Sequence, residues 1–213
     1  MKVKVCGVTN AEDARMVLEE GADALGVIVD VPVGTPRKIT LETAVDIRDS
    51  ISGMNHTLIA VLMPESADEV VNVVERLAPE GIQLHGMESP ELVADIRGKV
   101  GCTLIKAIHV DESIDLEYVK RVSEHADVIL LDTKVGDAVG GTGEQHDYSI
   151  DNQVKRITGN PIMLSGGLNA ENVVAAVERV KPYAVDVSSG VESEPGRKDP
   201  VKVRKFIEVT ACL

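Results

Sequence analysis

The sequence predicts an α/β fold, a single (β/α)8 TIM barrel over residues 1–213, and three observations lead to it. Short apolar segments rich in β-branched residues alternate about eight times with amphipathic segments of helical length, which is typical of βα units and a parallel sheet. Eight such units in 213 residues leave little room for insertions or a second domain. Hydrophobic residues make up 44% of the chain but aromatic residues only 2%, so an aliphatic core is expected.

An open doubly wound sheet is the alternative architecture, because periodicity alone fits it as well. Such sheets usually carry a GxGxxG turn after the first strand, whereas residues 6–13 of this chain read CGVTNAED. The barrel is therefore the preferred prediction.

Each strand candidate is a short run dominated by aliphatic residues. In chain order the candidates cover residues 3–8, 24–29, 57–63, 81–86, 103–110, 128–133, 161–166 and 184–189. Four of the helix candidates between them begin after a residue that can accept a hydrogen bond from the first helical turn. These residues are Asn10 before AEDARMVLEEG, with Gly21 closing that helix, Thr40 before LETAVDIRDSI, Ser66 before ADEVVNVVERL and Asn169 before AENVVAAVERV.

The charge balance excludes two classes of partner. With 22 basic and 35 acidic side chains the net charge is −13, which repels nucleic acid and anionic membrane surfaces, so neither is an expected partner. No apolar run approaches the ~18 residues of a membrane span, and no signal sequence is recognisable. Three cysteines without CxxC spacing argue against a disulfide framework and a structural zinc site, and they favour a cytoplasmic location.

Polar residues gather at the carboxyl ends of the predicted strands, where barrels place functional side chains. Asp132 ends the apolar run VILLD, and partial desolvation there is expected to raise its pKa and suit it to general acid catalysis. Capping of the next loop or pairing with a lysine is the alternative role for this carboxylate.

Cys6 ends the first predicted strand and shares a face with Lys4. Free cysteine is among the most buried residue types, so a core position is the simplest interpretation. Alternatively, a thiolate here removes a proton from carbon or attacks a carbonyl, with Gly7 allowing the substrate to approach closely.

Glycine-rich loops follow the last two predicted strands, the place where barrels frequently bind phosphate. Backbone N–H groups of Gly166, Gly167, Ser189 and Gly190 are candidates for an anion pocket, with ordinary turns as the alternative. A third glycine-rich segment, residues 135–148, suits a loop that closes over a ligand.

Two further side chains are candidates for substrate contact. Arg37, after the second strand, offers a bidentate fork to a carboxylate or phosphate, and His85 ends the fourth strand; a surface arginine and a satisfied strand-end histidine are the alternatives. The chain has five histidines and no HxH pair on the first strand, so no metal is expected. No nucleophile elbow supports a thiol hydrolase pair of Cys6 with His85.

Eight segments in order, KVCGVTNAEDA, GADALGVIV, TPRKI, IQLHG, LLDT, GGTG, SGGLNAENV and DVSSGVESEPGRKD, together resemble the phosphoribosylanthranilate isomerase family over nearly the whole chain. The resemblance implies a (β/α)8 barrel that catalyses the Amadori rearrangement of N-(5-phosphoribosyl)anthranilate to 1-(2-carboxyphenylamino)-1-deoxyribulose 5-phosphate in tryptophan biosynthesis. It also implies a phosphorylated small-molecule substrate, no cofactor, and a monomer or homodimer.

The resemblance assigns roles residue by residue. Cys6 corresponds to the general base and Asp132 to the general acid. The substrate-binding residues that it implies are Arg37, His85, Gly141 and Gly143, and the phosphate cradle that it implies comprises Gly166, Gly167, Ser188, Ser189 and Gly190. The chain departs from the family pattern at Asp30, Thr35 and Pro64, near the expected anthranilate pocket.

Two other hypotheses remain in competition. A relative of indole-glycerol-phosphate synthase would need a catalytic lysine, for which Lys106 on the fifth strand is the one candidate. A barrel that only binds a phosphorylated metabolite would have no need of both Cys6 and Asp132.

Overall fold

A computed structural model describes residues 1–110, 113–133 and 148–213, and within them eight parallel strands close into a barrel. In chain order the strands of the described residues are β1 Lys2–Cys6, β2 Ala24–Val29, β3 Lys38–Ile39, β4 Thr57–Leu62, β5 Gly81–Leu84, β6 Thr103–Val110, β7 Val128–Thr133, β8 Ile162–Ser165, β9 Ala184–Val187, β10 Glu192–Glu194 and β11 Arg197–Lys198. Three of these, the short strands β3, β10 and β11, lie outside the ring. The ring runs β1-β2-β4-β5-β6-β7-β8-β9 and back to β1, and the short β3 pairs with β2 alone. The predicted fold class is confirmed.

Helices between the strands cover the outside of the barrel. Those in the described residues are α1 Ala11–Glu19, α2 Leu41–Ser50, α3 Ala67–Leu77, α4 Pro90–Lys99, α5 Leu116–Ser123, α6 Ser149–Thr158, α7 Val173–Val180 and α8 Pro200–Ala211. The caps predicted for the first three are confirmed, because Asn10, Thr40 and Ser66 each accept a hydrogen bond from the backbone N–H three residues later. None of the described helices combines the length and apolar character needed to cross a bilayer.

The predicted start of α7 is wrong by three residues. Asn169 accepts hydrogen bonds from the N–H groups of Glu171 and Asn172 at 2.9 and 3.1 Å, so it caps a turn, and the helix begins only at Val173. An asparagine that forms such a local turn looks like a helix cap in sequence because the same side-chain oxygen makes both bonds.

Alternation along the strands fills the barrel at one end and leaves polar groups at the other. A small inner cluster of aliphatic residues closes the amino-terminal half of the barrel, and it comprises Ala24, Ile59, Ile105, Ala107, Leu130, Met163 and Ala184. Two residues further along the same strand faces come His109, Asp132, Ser165 and Asp186. The pleat thus carries these side chains to the carboxyl-terminal mouth of the barrel.

Two local features bring other groups to the same mouth. β1 ends at Cys6, two residues before its predicted end, because Gly7 adopts the left-handed backbone conformation with φ of +73°. After β9, a 3-10 turn at Ser189–Val191 leads into an antiparallel hairpin of β10 and β11. This hairpin lacks the apolar pattern of the barrel strands and was not anticipated from the sequence.

Candidate active site

A cavity of about 320 Å³ opens at the carboxyl ends of the barrel strands, a size within the usual range for small-molecule sites. Its wall includes eight of the predicted site residues: Cys6, Arg37, His85, Asp132, Gly166, Gly167, Ser188 and Ser189. Gly141 and Gly143 lie outside the described residues. The structure therefore brings most of the predicted site residues to one cavity, and their roles stay predictions.

Gly190 is the exception, since it does not line the cavity. A Cβ atom at this position would lie 2.0 Å from the carbonyl oxygen of Leu168. Gly190 therefore lets the loop after β9 pack against the loop after β8. This packing brings the two loops together, and the phosphate contact predicted for Gly190 stays a prediction.

The Cys6 side chain is 6% exposed and still contributes to the cavity wall, so the core and functional interpretations describe the same position. Burial raises the pKa of the Cys6 thiol, which the nearby ammonium groups of Lys4 and Lys198 only partly offset. The Lys198 ammonium also donates to the Cys6 carbonyl oxygen at 2.6 Å. Burial therefore favours the thiol form of this side chain.

Asp132 is held between two histidines. Its Oδ2 atom lies 3.4 Å from Nδ1 of His109 and 3.6 Å from Nε2 of His85. Burial acts to raise the pKa of Asp132, but hydrogen bonds from both imidazoles outweigh it and lower the pKa well below the ordinary range. The predicted upward shift is therefore wrong, and the partners are histidines where a lysine was the alternative.

His109 directs one ring nitrogen at this carboxylate and the other at the backbone. Its Nε2 atom donates to the carbonyl oxygen of His85 at 3.2 Å, so only the doubly protonated ring can also donate from Nδ1 to Asp132. The hydrogen bond to Asp132 raises the pKa of His109 accordingly. His85 accepts at Nδ1 from the Gln83 amide at 2.9 Å, which leaves its Nε2 proton directed at Asp132.

The ligand atoms of His85, His109 and Asp132 lie within 4.8 Å of one another, a grouping found nowhere else among the described His, Cys, Asp and Glu side chains. Hydrogen bonding to the carboxylate accounts for this convergence. His109 was missed as a site residue, although it shares a strand face with Ile105 and Ala107 and pairs in register with Asp132. The face argument applied to the other strands would have found it.

Arg37 reaches the cavity with its fork already occupied. Its Nε and Nη2 atoms donate to the two carboxylate oxygens of Glu192 at 2.8 and 2.6 Å. A Cβ on Gly7 would lie 2.7 Å from Cδ of Arg37 and 3.1 Å from the Ser188 hydroxyl oxygen. Gly7 therefore makes room for Arg37, where the sequence had suggested room for a substrate.

Apolar side chains form an apolar wall of the same cavity, and they are Ile28, Val31, Val33, Val61 and Met63. Among the positions where the chain departs from the family pattern, Thr35 lies on this cavity, whereas Asp30 and Pro64 border a separate one.

Lys106 takes no part in the cavity. It lies on the opposite strand face from Ala107, fully buried, with its ammonium 2.8 Å from Glu88 and bonded to the carbonyl oxygens of Gly86 and Ala107. Lys106 therefore forms a buried ion pair with Glu88, which lies in the loop after β5.

Comparisons with known proteins agree along the whole chain. A family model described as N-(5′-phosphoribosyl)anthranilate (PRA) isomerase matches residues 3–209. Proteins of that name from Methanocaldococcus jannaschii and Methanopyrus kandleri are 40% and 41% identical, and the matches cover 98% and 100% of this chain and 96% and 100% of theirs.

Solved structures extend the agreement to three dimensions. The phosphoribosyl anthranilate isomerase of Thermotoga maritima superposes with a TM-score of 0.85 at 37% identity, over 100% of both chains. A structure of such an isomerase in complex with reduced 1-(o-carboxyphenylamino)-1-deoxyribulose 5-phosphate gives a TM-score of 0.84 at 35% identity, again over 100% of both chains.

Proposed function

This chain belongs to the N-(5′-phosphoribosyl)anthranilate isomerase family, enzymes of tryptophan biosynthesis, and we propose that Cys6 and Asp132 are the base and acid of its aldose–ketose isomerisation. The observation that carries the proposal is their convergence on one cavity from β1 and β7, three places apart in the ring of eight strands. An acid and a base on different walls can act on different atoms of one bound sugar.

Two proton transfers open the furanose ring and form the enolamine. Asp132 donates a proton to the furanose ring oxygen, the bond from that oxygen to C1′ breaks, and a protonated Schiff base forms. Cys6 as thiolate then removes the proton from C2′. The electron pair of the broken C2′–H bond forms the double bond of an enolamine, which tautomerises to the ketone. Atoms and electrons are conserved within the substrate, as an isomerisation requires.

The lowered pKa of Asp132 means that the carboxylate of the free protein must obtain the proton it donates. We assign the source of this proton to His109, whose Nδ1 atom lies 3.4 Å from Oδ2 of Asp132. The proton passes from imidazolium to carboxylate as the ring oxygen takes one up. Acid catalysis thus belongs to the pair, with Asp132 as the group that touches the substrate.

Substrate binding divides between two ends of the cavity. The loops with Gly166, Gly167, Ser188 and Ser189 are suited to the phosphate, and Gly190 supports them by close packing. Arg37 and the apolar wall are suited to the anthranilate ring and its carboxylate, and His85 to a sugar hydroxyl or Asp132. The related structure holds a product analogue with the same two ends, a carboxyphenyl group and a phosphate.

Turnover of freshly generated phosphoribosylanthranilate, followed by the loss of its fluorescence, tests the proposal. Cys6→Ala and Asp132→Asn should each lower kcat by at least ~100-fold with smaller effects on KM. Cys102→Ala is the matched control, a half-buried cysteine away from the cavity. Near-normal kcat in either active-site variant would refute the role of that residue, and turnover no faster than spontaneous decay would refute the whole proposal.

The remaining expectations belong to the same proposal. A substrate of low molecular weight, a cytoplasmic location and a monomeric or homodimeric state are consistent with it, and no nucleic acid or membrane is needed. Lys106 does not line the cavity, which speaks against the synthase alternative. A barrel that only binds a metabolite would fail the turnover assay.

A further inference from the structure

We propose that Lys4 is a positioning residue that stabilises the thiolate of Cys6 by holding an ammonium group against its sulfur. The inference rests on the proposed role of Cys6 as base and explains how a buried sulfur can become one. It concerns a side chain that does not line the cavity and does not reach the substrate.

Lys4 is 1% exposed, an unusual position for an ammonium group. Its Nζ atom donates to Oδ1 of Asp186 at 2.9 Å, and both Nζ and the Cys6 sulfur border the space beside Gly26. A buried ammonium remains charged only if its donors find acceptors, and a thiolate is the stronger acceptor of the two sulfur forms. The lysine therefore gains from deprotonation of Cys6.

Gly26 on β2 lies against both of these side chains. Gly26 pairs in register with Cys6 across the β1–β2 ladder. A Cβ atom on Gly26 would lie 2.8 Å from the Cys6 sulfur and 3.0 Å from Nζ of Lys4. The sulfur and the ammonium thus border the same space, which the missing side chain of Gly26 leaves open.

The charges around Cys6 favour a thiolate as well. Five charged side chains are linked to Cys6 directly or through one ion pair: the cations Lys4, Lys198 and Arg37 and the carboxylates Asp186 and Glu192. Together they carry one excess positive charge, which a thiolate balances and a thiol does not. Lys198 and Arg37 share Glu192, whereas Lys4 does not pair with that carboxylate.

The apparent pKa of Cys6, measured without substrate, tests the inference. The rate of alkylation by iodoacetamide is followed against pH in a background of Cys102→Ser and Cys212→Ser. Lys4→Met should raise the thiol pKa by about one unit or more and slow alkylation at pH 7 about tenfold. Lys2→Met, an exposed lysine on the same strand, should leave the rate unchanged.

Asp186→Asn separates charge from packing. Loss of this carboxylate frees the ammonium for the sulfur, so alkylation at pH 7 should become faster, the opposite of the Lys4→Met result. If Lys4→Met does not fold, the double variant with Asp186→Asn removes both charges, and its thiol pKa should exceed that of Asp186→Asn alone. A purely structural role predicts that both single variants change the rate in the same direction.

Either of two results would overturn the inference. One is a thiol pKa in folded Lys4→Met equal to that of the wild type. The other is a wild-type thiol pKa in Asp186→Asn, a result that can be obtained even if no Lys4 variant folds. Failure here is distinct from failure of the proposed function, because an active Cys6→Ala enzyme would refute the latter whatever the thiol pKa.

Discussion

Gly26→Ala is the sharpest structural test of the Cys6 environment, because it adds one methyl group beside the sulfur. The new Cβ would lie 2.8 Å from the sulfur, at least about 0.6 Å closer than an ordinary contact. β2 is hydrogen-bonded to β1 on one side and β4 on the other, so its backbone cannot yield easily. The sulfur and the Lys4 ammonium must move instead.

The size of the effect follows from this displacement. Overpacking of this kind lowers the free energy of unfolding by about 1–3 kcal/mol. A misplacement approaching 1 Å at a reacting group costs up to ~100-fold in rate, so kcat should fall about tenfold or more, with little change in KM. Urea denaturation and the fluorescence assay of turnover measure the two quantities.

Gly101→Ala is the matched control, because a Cβ atom there meets nothing within 4 Å. It should retain wild-type stability and turnover. If Gly26→Ala also kept wild-type kcat and the same denaturation midpoint, the close packing of Cys6 and Lys4 against β2 would be refuted.

His109→Gln should lower kcat about tenfold by removing the stored proton beside the acid, whereas His125→Gln should not; equal kcat values would remove His109 from the mechanism. Glu192→Gln should lower the free energy of unfolding at pH 7 by about 3 kcal/mol, since it breaks a mostly buried pair with Arg37. The pKa of Glu192 is lowered in the folded state against the pull of burial, by its hydrogen bonds to basic partners. The wild-type advantage should therefore be present above the pKa of an unfolded glutamate and vanish as pH falls through the folded value; persistence at low pH in thermal melts would contradict this. Lys106→Met should lower stability by about 3–5 kcal/mol yet keep wild-type kcat in the folded fraction, and a large loss of kcat would revive a catalytic role.

The fold and the strand ends were predictable because hydrophobic periodicity reports which face of a strand is buried. It placed Cys6 and Asp132 on inner faces at the mouth of the barrel without any information on contacts. The same periodicity was insufficient at Asp132: it predicted the burial correctly but not the sign of the pKa shift, because the two histidines that determine the sign lie elsewhere in the chain, His109 on β6 and His85 directly after β5.

Pairs distant along the chain account for most of what was missed. Lys4 and Asp186 are separated by 182 residues, and Arg37 and Glu192 by 155, so no local pattern relates them. The roles of three glycines could not be predicted either. Gly7, Gly26 and Gly190 each leave space for a specific neighbour, and only the three-dimensional structure identifies that neighbour. His109 differs, because alternation along β6 was sufficient to place it.

The end of β1, which carries Cys6, is held by segments that are synthesised last, namely β9 and the hairpin of β10 and β11. β1 is completed by β9, and Lys198 on β11 donates to the carbonyl oxygen of Cys6, 192 residues earlier in the chain. A nascent chain that already contains both Cys6 and Asp132 still lacks the strand that closes the ring and the lysine that fixes the end of β1. Because such long-range contacts form late in folding, we expect the cavity around Cys6 and Asp132 to take its final shape only after the segment bearing β9 to β11 has left the ribosome.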